Sequence, residues 1–295
     1  SFKAPHHPTT PDPIYDDVYA GKTFEKSENY GRENGEHFSE QSRQGRQYKR
    51  FHDWHYSDEY DRVMATYNQQ IYAIDVAVGM IRDALVEAGV DDNTVVIFTS
   101  DNGFLNGSHG YGSKVLPYEE ATCVPMIIYD PRSANSGQAL RRDALAANID
   151  IAPTILTLAG LPVPRDMDGG DLMRVYEDPT AAIHESIALI NVWGSKPTQA
   201  MGVVTKDMKY LYWGYAAKGF EETEELYNLA DDPFELTNQT TQVESRADLK
   251  AMRQIYDQHL DRWQTQAVSH HGYQPYGTYF DRKASWAEKA AVFSK

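Results

Sequence analysis

The chain has 295 residues, 41% hydrophobic and 12% aromatic, with a net charge of -15 at pH 7. That is enough to bury a substantial core, as one large domain or one with an appendage. The charge argues against a nucleic-acid partner, whose phosphates need basic patches, and means that any bound anion is held by a local cationic pocket or a metal. No apolar run approaches the roughly 18–20 residues of a membrane helix, and no signal peptide is visible. The single cysteine, Cys123, excludes an intrachain disulfide and a multi-thiolate metal site. The first residue is Ser1, so the chain reads as processed, trimmed or a fragment.

Residues 1–56 open on Lys3-Ala4-Pro5-His6-His7-Pro8 and continue into a polar stretch from Gly21 to Arg50 with no clear period. A free loop of that length is unusual in a compact domain. It reads as a solvated insertion, or as a segment draped over a surface or forming part of a cleft. Ser57 then opens a strong helix, with Val63, Tyr67, Ile71, Ile74, Val78, Ile81 and Leu85 on one stripe and Gly89 placed to end it. The apolar run Val95-Val96-Ile97-Phe98 follows and reads as a buried strand. A helix feeding a buried strand is one arm of a doubly wound α/β sheet.

Thr99-Ser100-Asp101-Asn102-Gly103 place a carboxylate and an amide oxygen at the carboxyl end of that strand, the edge where ligands sit in such sheets. The sequence after Asp-Asn-Gly does not alternate, which disfavours a simple hairpin. Its glycine-rich loop carries His109 and ends at Lys114. Hard oxygen ligands of this kind suit Ca²⁺ or Mg²⁺ better than zinc, but such ions take about six oxygens or more, so two ligands are not a site.

Downstream, Val124–Tyr129 reads as a second strand and Ile149–Gly160 as a helix with proline in its first turn. The last third changes character. Ser186–Val192, Ala200–Thr205 and Lys209–Trp213 read as short strands of a smaller antiparallel sheet. Asp248–Trp263 has helical spacing, and the tail from Ser269 is rich in His, Tyr and Trp.

The order of these pieces is specific where each alone is not. Pro5-His6-His7-Pro8, Ser100-Asp101-Asn102-Gly103, His109-Gly110, Lys114, Tyr118-Glu119-Glu120, Val124-Pro125-Met126, Ile149–Thr154, Lys209-Tyr210-Leu211 and Glu225–Glu235 follow one another in the chain. The set resembles the carboxy-terminal portion of the type I, formylglycine-dependent sulfatases of the alkaline phosphatase superfamily, over residues 1–265 with gaps in 9–55. The resemblance implies an α/β fold, a mostly parallel sheet sandwiched by helices, with a smaller carboxy-terminal antiparallel sheet plus helix. Residues 1–180 then belong to the α/β domain, 181–268 to the smaller subdomain, and 269–295 to an aromatic tail packing on the domain or lining a sugar cleft.

The same resemblance implies roles. Asp101 and Asn102 match metal ligands, usually of Ca²⁺, with Mg²⁺ as the alternative. Lys114 matches the lysine that holds the sulfate oxygens, and His6 the histidine that helps proton transfer to the leaving group. His7, Lys3 and His109 are the substrate-binding candidates, with a structural role equally open for His109. The chemistry explains these types, because sulfate-ester cleavage rests on charge stabilisation and protonation of the leaving alkoxide. The family's nucleophile motif, Cys/Ser-x-Pro/Ala-x-Arg, has no match here. Cys123, in Thr122-Cys123-Val124-Pro125-Met126, does not fit it and reads as a small buried hydrophobe. The expected activity is a sulfuric ester hydrolase on a sulfated carbohydrate, completed by a companion amino-terminal half and exported to the periplasm or medium. Phosphonate or phosphodiester hydrolysis, and a non-catalytic glycan-binding module, stand as alternatives.

Overall fold

The computed structural model describes every residue except Thr9, Ser269, His271 and Lys295. The aromatic tail's His271 therefore lies outside the described residues. The first half runs α1 (Arg46–Asp53), α2 (Tyr60–Glu87), β1 (Val96–Thr99), α3 (Glu119–Thr122), β2 (Met126–Tyr129), α4 (Ile151–Leu158) and α5 (Met173–Glu177). The second half runs β3 (Ile187–Asn191), β4 (Ala200–Val204), β5 (Met208–Trp213), β6 (Thr223–Asn228), α6 (Arg246–Gln266), α7 (Tyr276–Tyr279) and α8 (Trp286–Ala291). Gly89, with φ +65°, is the left-handed residue that ends α2.

The α/β class holds, and so does the smaller antiparallel sheet with its helix. Strands β3 to β6 form a meander in sequence order, each pair antiparallel. Side chains alternate between its faces, as strand geometry requires. Tyr210 and Tyr212 pack with Leu249, Met252, Tyr256 and Leu260 of α6 and with Tyr279 and Phe280 of the tail. Leu211, Trp213 and Tyr227 face the other way, onto Phe38, Leu105, Tyr111, Leu116 and Tyr118. The second face is what supports the loop between β1 and α3.

Several expectations change. The larger sheet contributes only β1 and β2 here, and they pair antiparallel, Val96 opposite Tyr129 and Thr99 opposite Met126. The parallel pairings expected around β1 are absent among the described residues, because the chain returns beside β1 through β2. β1 is half-buried along its length rather than fully buried, and much of the apolar surface of α2 lies open: Met80 is 68% and Ile81 51% exposed. Ile127 on β2 is 60% exposed as well. Cys123 is also exposed, since it caps α3 where the chain turns toward β2.

The stretch 21–50 is not a solvated insertion. Asn29, Phe38, Ser39, Gln41, Ser42 and Gln47 are buried. They wedge between the β1–α3 loop and the meander: the Ser39 N–H donates to the Glu225 carboxylate at 2.8 Å, and Ser42 Oγ pairs with the Tyr111 hydroxyl at 2.8 Å. Draping, the other reading of that stretch, is what its buried contacts describe.

Candidate active site

The site is built on the loop from Ser100 to Val115. Its backbone is held in an unusual state. Asn106, His109, Ser113 and Val115 all have positive φ, +46°, +54°, +75° and +92°. Non-glycine residues rarely adopt this region, a β-branched one least of all, and such strain persists only where surroundings over-determine it. Lys114 sits between two of these residues.

The surroundings are identifiable. Gly103 N–H donates to the Ala121 carbonyl at 3.0 Å, and Leu105 N–H to the Ser113 carbonyl at 2.8 Å, closing the loop on itself. α1 clasps its far end. Gly112 N–H donates to the Gln47 carbonyl at 2.9 Å, Gln47 Nε2 donates to the Lys114 carbonyl at 2.8 Å, and Arg50 Nη1 donates to Ser113 Oγ at 2.8 Å. A side chain at Gly112 would meet the Arg50 backbone, so the approach of helix and loop depends on glycine there.

The structure brings Lys114 and Asn102 together: Lys114 Nζ donates to Asn102 Oδ1 at 2.7 Å. Asp101 beside it is exposed. A carboxylate and an amide oxygen are hard donors that suit a divalent ion, and the ammonium on Asn102 Oδ1 shows that this oxygen is presented to a cation. The residues fit a metal in kind and supply part of its coordination in number.

The amino-terminal segment reaches the same loop through aromatic rings. His7 stacks on Trp54 with centroids 3.8 Å apart, and Trp54 stacks in turn with Phe104 at 6.2 Å. Burial, then the nearby Arg50 and His6 charges, hold the His7 imidazole below its ordinary range, so it is neutral at pH 7. His6 is exposed and donates from Nδ1 to the His7 carbonyl at 2.6 Å, which fixes its tautomer and leaves Nε2 as the nitrogen open to a ligand. Lys3 is exposed, and its carbonyl accepts the His6 N–H at 3.0 Å.

His109 is placed differently from a substrate contact. It is fully buried. Nδ1 donates to the Asn34 carbonyl at 2.8 Å, and Nε2 accepts from Asn29 Nδ2 at 2.9 Å. Burial pushes its pKa down to about 4. A neutral ring with both nitrogens engaged and no exposed surface has no face to offer a sugar, and it anchors the loop instead.

Two residues beside the loop were missed by sequence reading. Arg50 and Trp54 sit on α1 and just after it, with the guanidinium 4.2 Å from the indole centroid. Their signal was the run Tyr48-Lys49-Arg50-Phe51-His52-Asp53-Trp54, cations interleaved with aromatics. The family motifs further on are structural. Asp150 is buried and accepts from Gly170 N–H at 2.8 Å and bonds His184 Nε2 at 2.7 Å. Lys209, also buried, lies 2.6 Å from Glu119 and 2.8 Å from Glu235, tying the meander to α3.

Among the described residues no helix is long and apolar enough to cross a membrane. Comparison with known proteins gives this arrangement a family. The chain is 30% identical over 206 residues to an N-acetylglucosamine-6-O-sulfatase of Bacteroides thetaiotaomicron, covering 68% of this chain and 36% of the relative. It is 30% identical over 201 residues to an arylsulfatase of Clostridium perfringens, covering 68% and 40%. The chain thus spans well under half the length of these curated relatives. Its fold is similar to that of BT4656, solved in complex with its substrate D-glucosamine-2-N,6-O-disulfate (TM-score 0.72, 22% identity, 90% of this chain and 65% of that one). A family model described as N-sulphoglucosamine sulphohydrolase, C-terminal, matches residues 107–265. A model described as Sulfatase matches residues 1–161, more than half of the sequence, and the chain belongs to the sulfatase family.

Proposed function

We propose that this chain supplies one part of the active site of a sulfuric ester hydrolase acting on a sulfated carbohydrate. The observation that carries the reading is the Lys114–Asn102 contact, an ammonium against an amide oxygen at the end of β1, which supports a cation site next to an anion site there. In this reading Asp101 and Asn102 ligate a divalent cation, Ca²⁺ in preference to Mg²⁺ because the donors are a mixed, open oxygen set. That ion neutralises charge on the sulfate when bound. Lys114 holds the sulfate oxygens, and His6, through Nε2, handles the leaving-group proton. The nucleophile and further acidic ligands come from a companion amino-terminal half. The exposed apolar residues of α2 and β2 support that partner, since large side chains of this kind left open on one chain suit burial against another. The name of one curated relative, an N-acetylglucosamine-6-O-sulfatase, supports a sulfated amino sugar as the substrate class, and export fits a polysaccharide-degrading role.

The test is turnover of an aryl sulfate and of a 6-sulfated glucosamine by this polypeptide alone and with an amino-terminal sulfatase half carrying formylglycine. The expected result is no turnover alone and turnover together, lost on Lys114→Ala. A full rate from this polypeptide alone overturns the reading. So does a reconstituted pair that cleaves aryl phosphates or phosphonates faster than sulfates.

A further inference from the structure

In a chain of net charge -15, α1 places Arg46, Lys49 and Arg50 on one short helix beside Lys114. Among the described residues none of these four cations makes an ion pair; Asp53 on the same helix offsets part of the charge at Arg50. Arg50 is the organised member. It is half-buried, uses one N–H on Ser113 Oγ, and lies over the Trp54 ring. Its remaining N–H groups bond no protein atom among the described residues. Ser113 and Lys114 are neighbours in the chain, so the guanidinium is tethered to the residue that precedes the sulfate-holding lysine. Burial and the like charge of Arg46 both oppose its charged form, and a bound anion relieves both.

We propose that Arg50, backed by Arg46, forms a second anion subsite. It takes a further anionic group, sulfate or carboxylate, of the sugar whose sulfate ester lies at Lys114. This rests on the sulfate-site reading of Lys114. The planar fork of a guanidinium matches either oxyanion bidentately, and stacking on Trp54 fixes it beforehand, so little freedom is lost on binding. A lone ammonium in the same place selects no second group.

Ligand-observed NMR titrations of the chain test this, using glucosamine 6-sulfate, glucosamine-2-N,6-O-disulfate, and a disaccharide joining 6-sulfated glucosamine to a hexuronate. The wild-type chain is expected to bind at least one doubly anionic sugar about tenfold more tightly than the monosulfate. Which of the two gains identifies sulfate or carboxylate as the second group. Arg50→Gln lowers that ratio toward one, and Arg50→Lys keeps part of it. Arg46→Gln, at an exposed position, lowers it too and carries the test where Arg50→Gln fails to fold. A ratio unchanged in Arg50→Gln, with every sugar weakened equally, is the signature of a lost Ser113 tether and overturns the subsite while leaving the Lys114 reading intact. A wild-type chain that binds none of the three overturns both.

Discussion

The ammonium of Lys114 and the amide oxygen of Asn102 are hydrogen-bonded at 2.7 Å, so a cation of the protein holds the place where a divalent ion would find one of its oxygens. In the proposed site the two cations compete. Removing the ammonium by Lys114→Met therefore raises the affinity of the chain for Ca²⁺, by about tenfold on the scale of one close charge pair in a partly solvated site. Asn102→Ala lowers it. Calcium titration calorimetry reads both, and a Lys114→Met variant that binds calcium more weakly contradicts the competition.

His109 predicts a pH response. Its folded pKa, lowered to about 4 mainly by burial, lies below the ordinary imidazole value of 6.5. Between those values the unfolded chain takes up a proton that the folded chain refuses, so stability falls as the pH drops through 6.5 toward 4. The contribution lost between pH 7 and pH 5 is about 2 kcal/mol. Urea unfolding at the two pH values should show a smaller acid loss in His109→Gln than in the wild type. Equal losses would remove His109 from the account.

The ion cluster at Lys209 predicts a strong asymmetry between single and double variants. Lys209→Met leaves Glu119 and Glu235 facing one another without a counter-charge, and buried Glu235 has nowhere to move. The expected cost is about 3–5 kcal/mol. Adding Glu235→Gln removes one of the stranded charges and should restore a substantial part, read as coupling in a double-mutant cycle of urea midpoints. Additive effects would mean the groups do not interact.

The open layer predicts the opposite behaviour. Met80 and Ile81 are more than half exposed, so Met80→Gln and Ile81→Gln should each change the stability of the isolated chain by no more than about 0.5 kcal/mol. The same changes should block pairing with an amino-terminal half. A large loss of stability in the isolated chain would show that the face is already covered.

Legibility followed the source of each element's stability. α2, β1, β2, α4, β3, β4, β5 and α6 were readable, because apolar spacing at 3.6 or 2 residues records burial against a neighbour. The exposure of the α2 stripe does not contradict its pattern; the pattern reports a surface built to be covered. β6 does not read as a strand, since Glu224 and Glu225 interrupt its apolar run. α1 was unreadable for a different reason. Its buried residues are Gln47 and Phe51, too few for a stripe, and its place is set by hydrogen bonds to a loop more than sixty residues away in sequence. At the site, residue type and order single out Asp101, Asn102 and Lys114, and the structure joins the last two. For His109 the sequence leaves a substrate contact and a structural role equally open, and only its depth favours the second.

The clasp of α1 on Gly112, Ser113 and Lys114, with the meander behind it, has a practical consequence. The loop is pinned from both sides by segments of one polypeptide, so the Lys114–Asn102 pair is set in shape within this chain. If a companion chain completes the site, as proposed, this chain is suited to complementation. Fused to one protein, and with its counterpart fused to another, it would turn a proximity event into hydrolysis of a chromogenic ester, with assembly rather than refolding as the step that sets the signal.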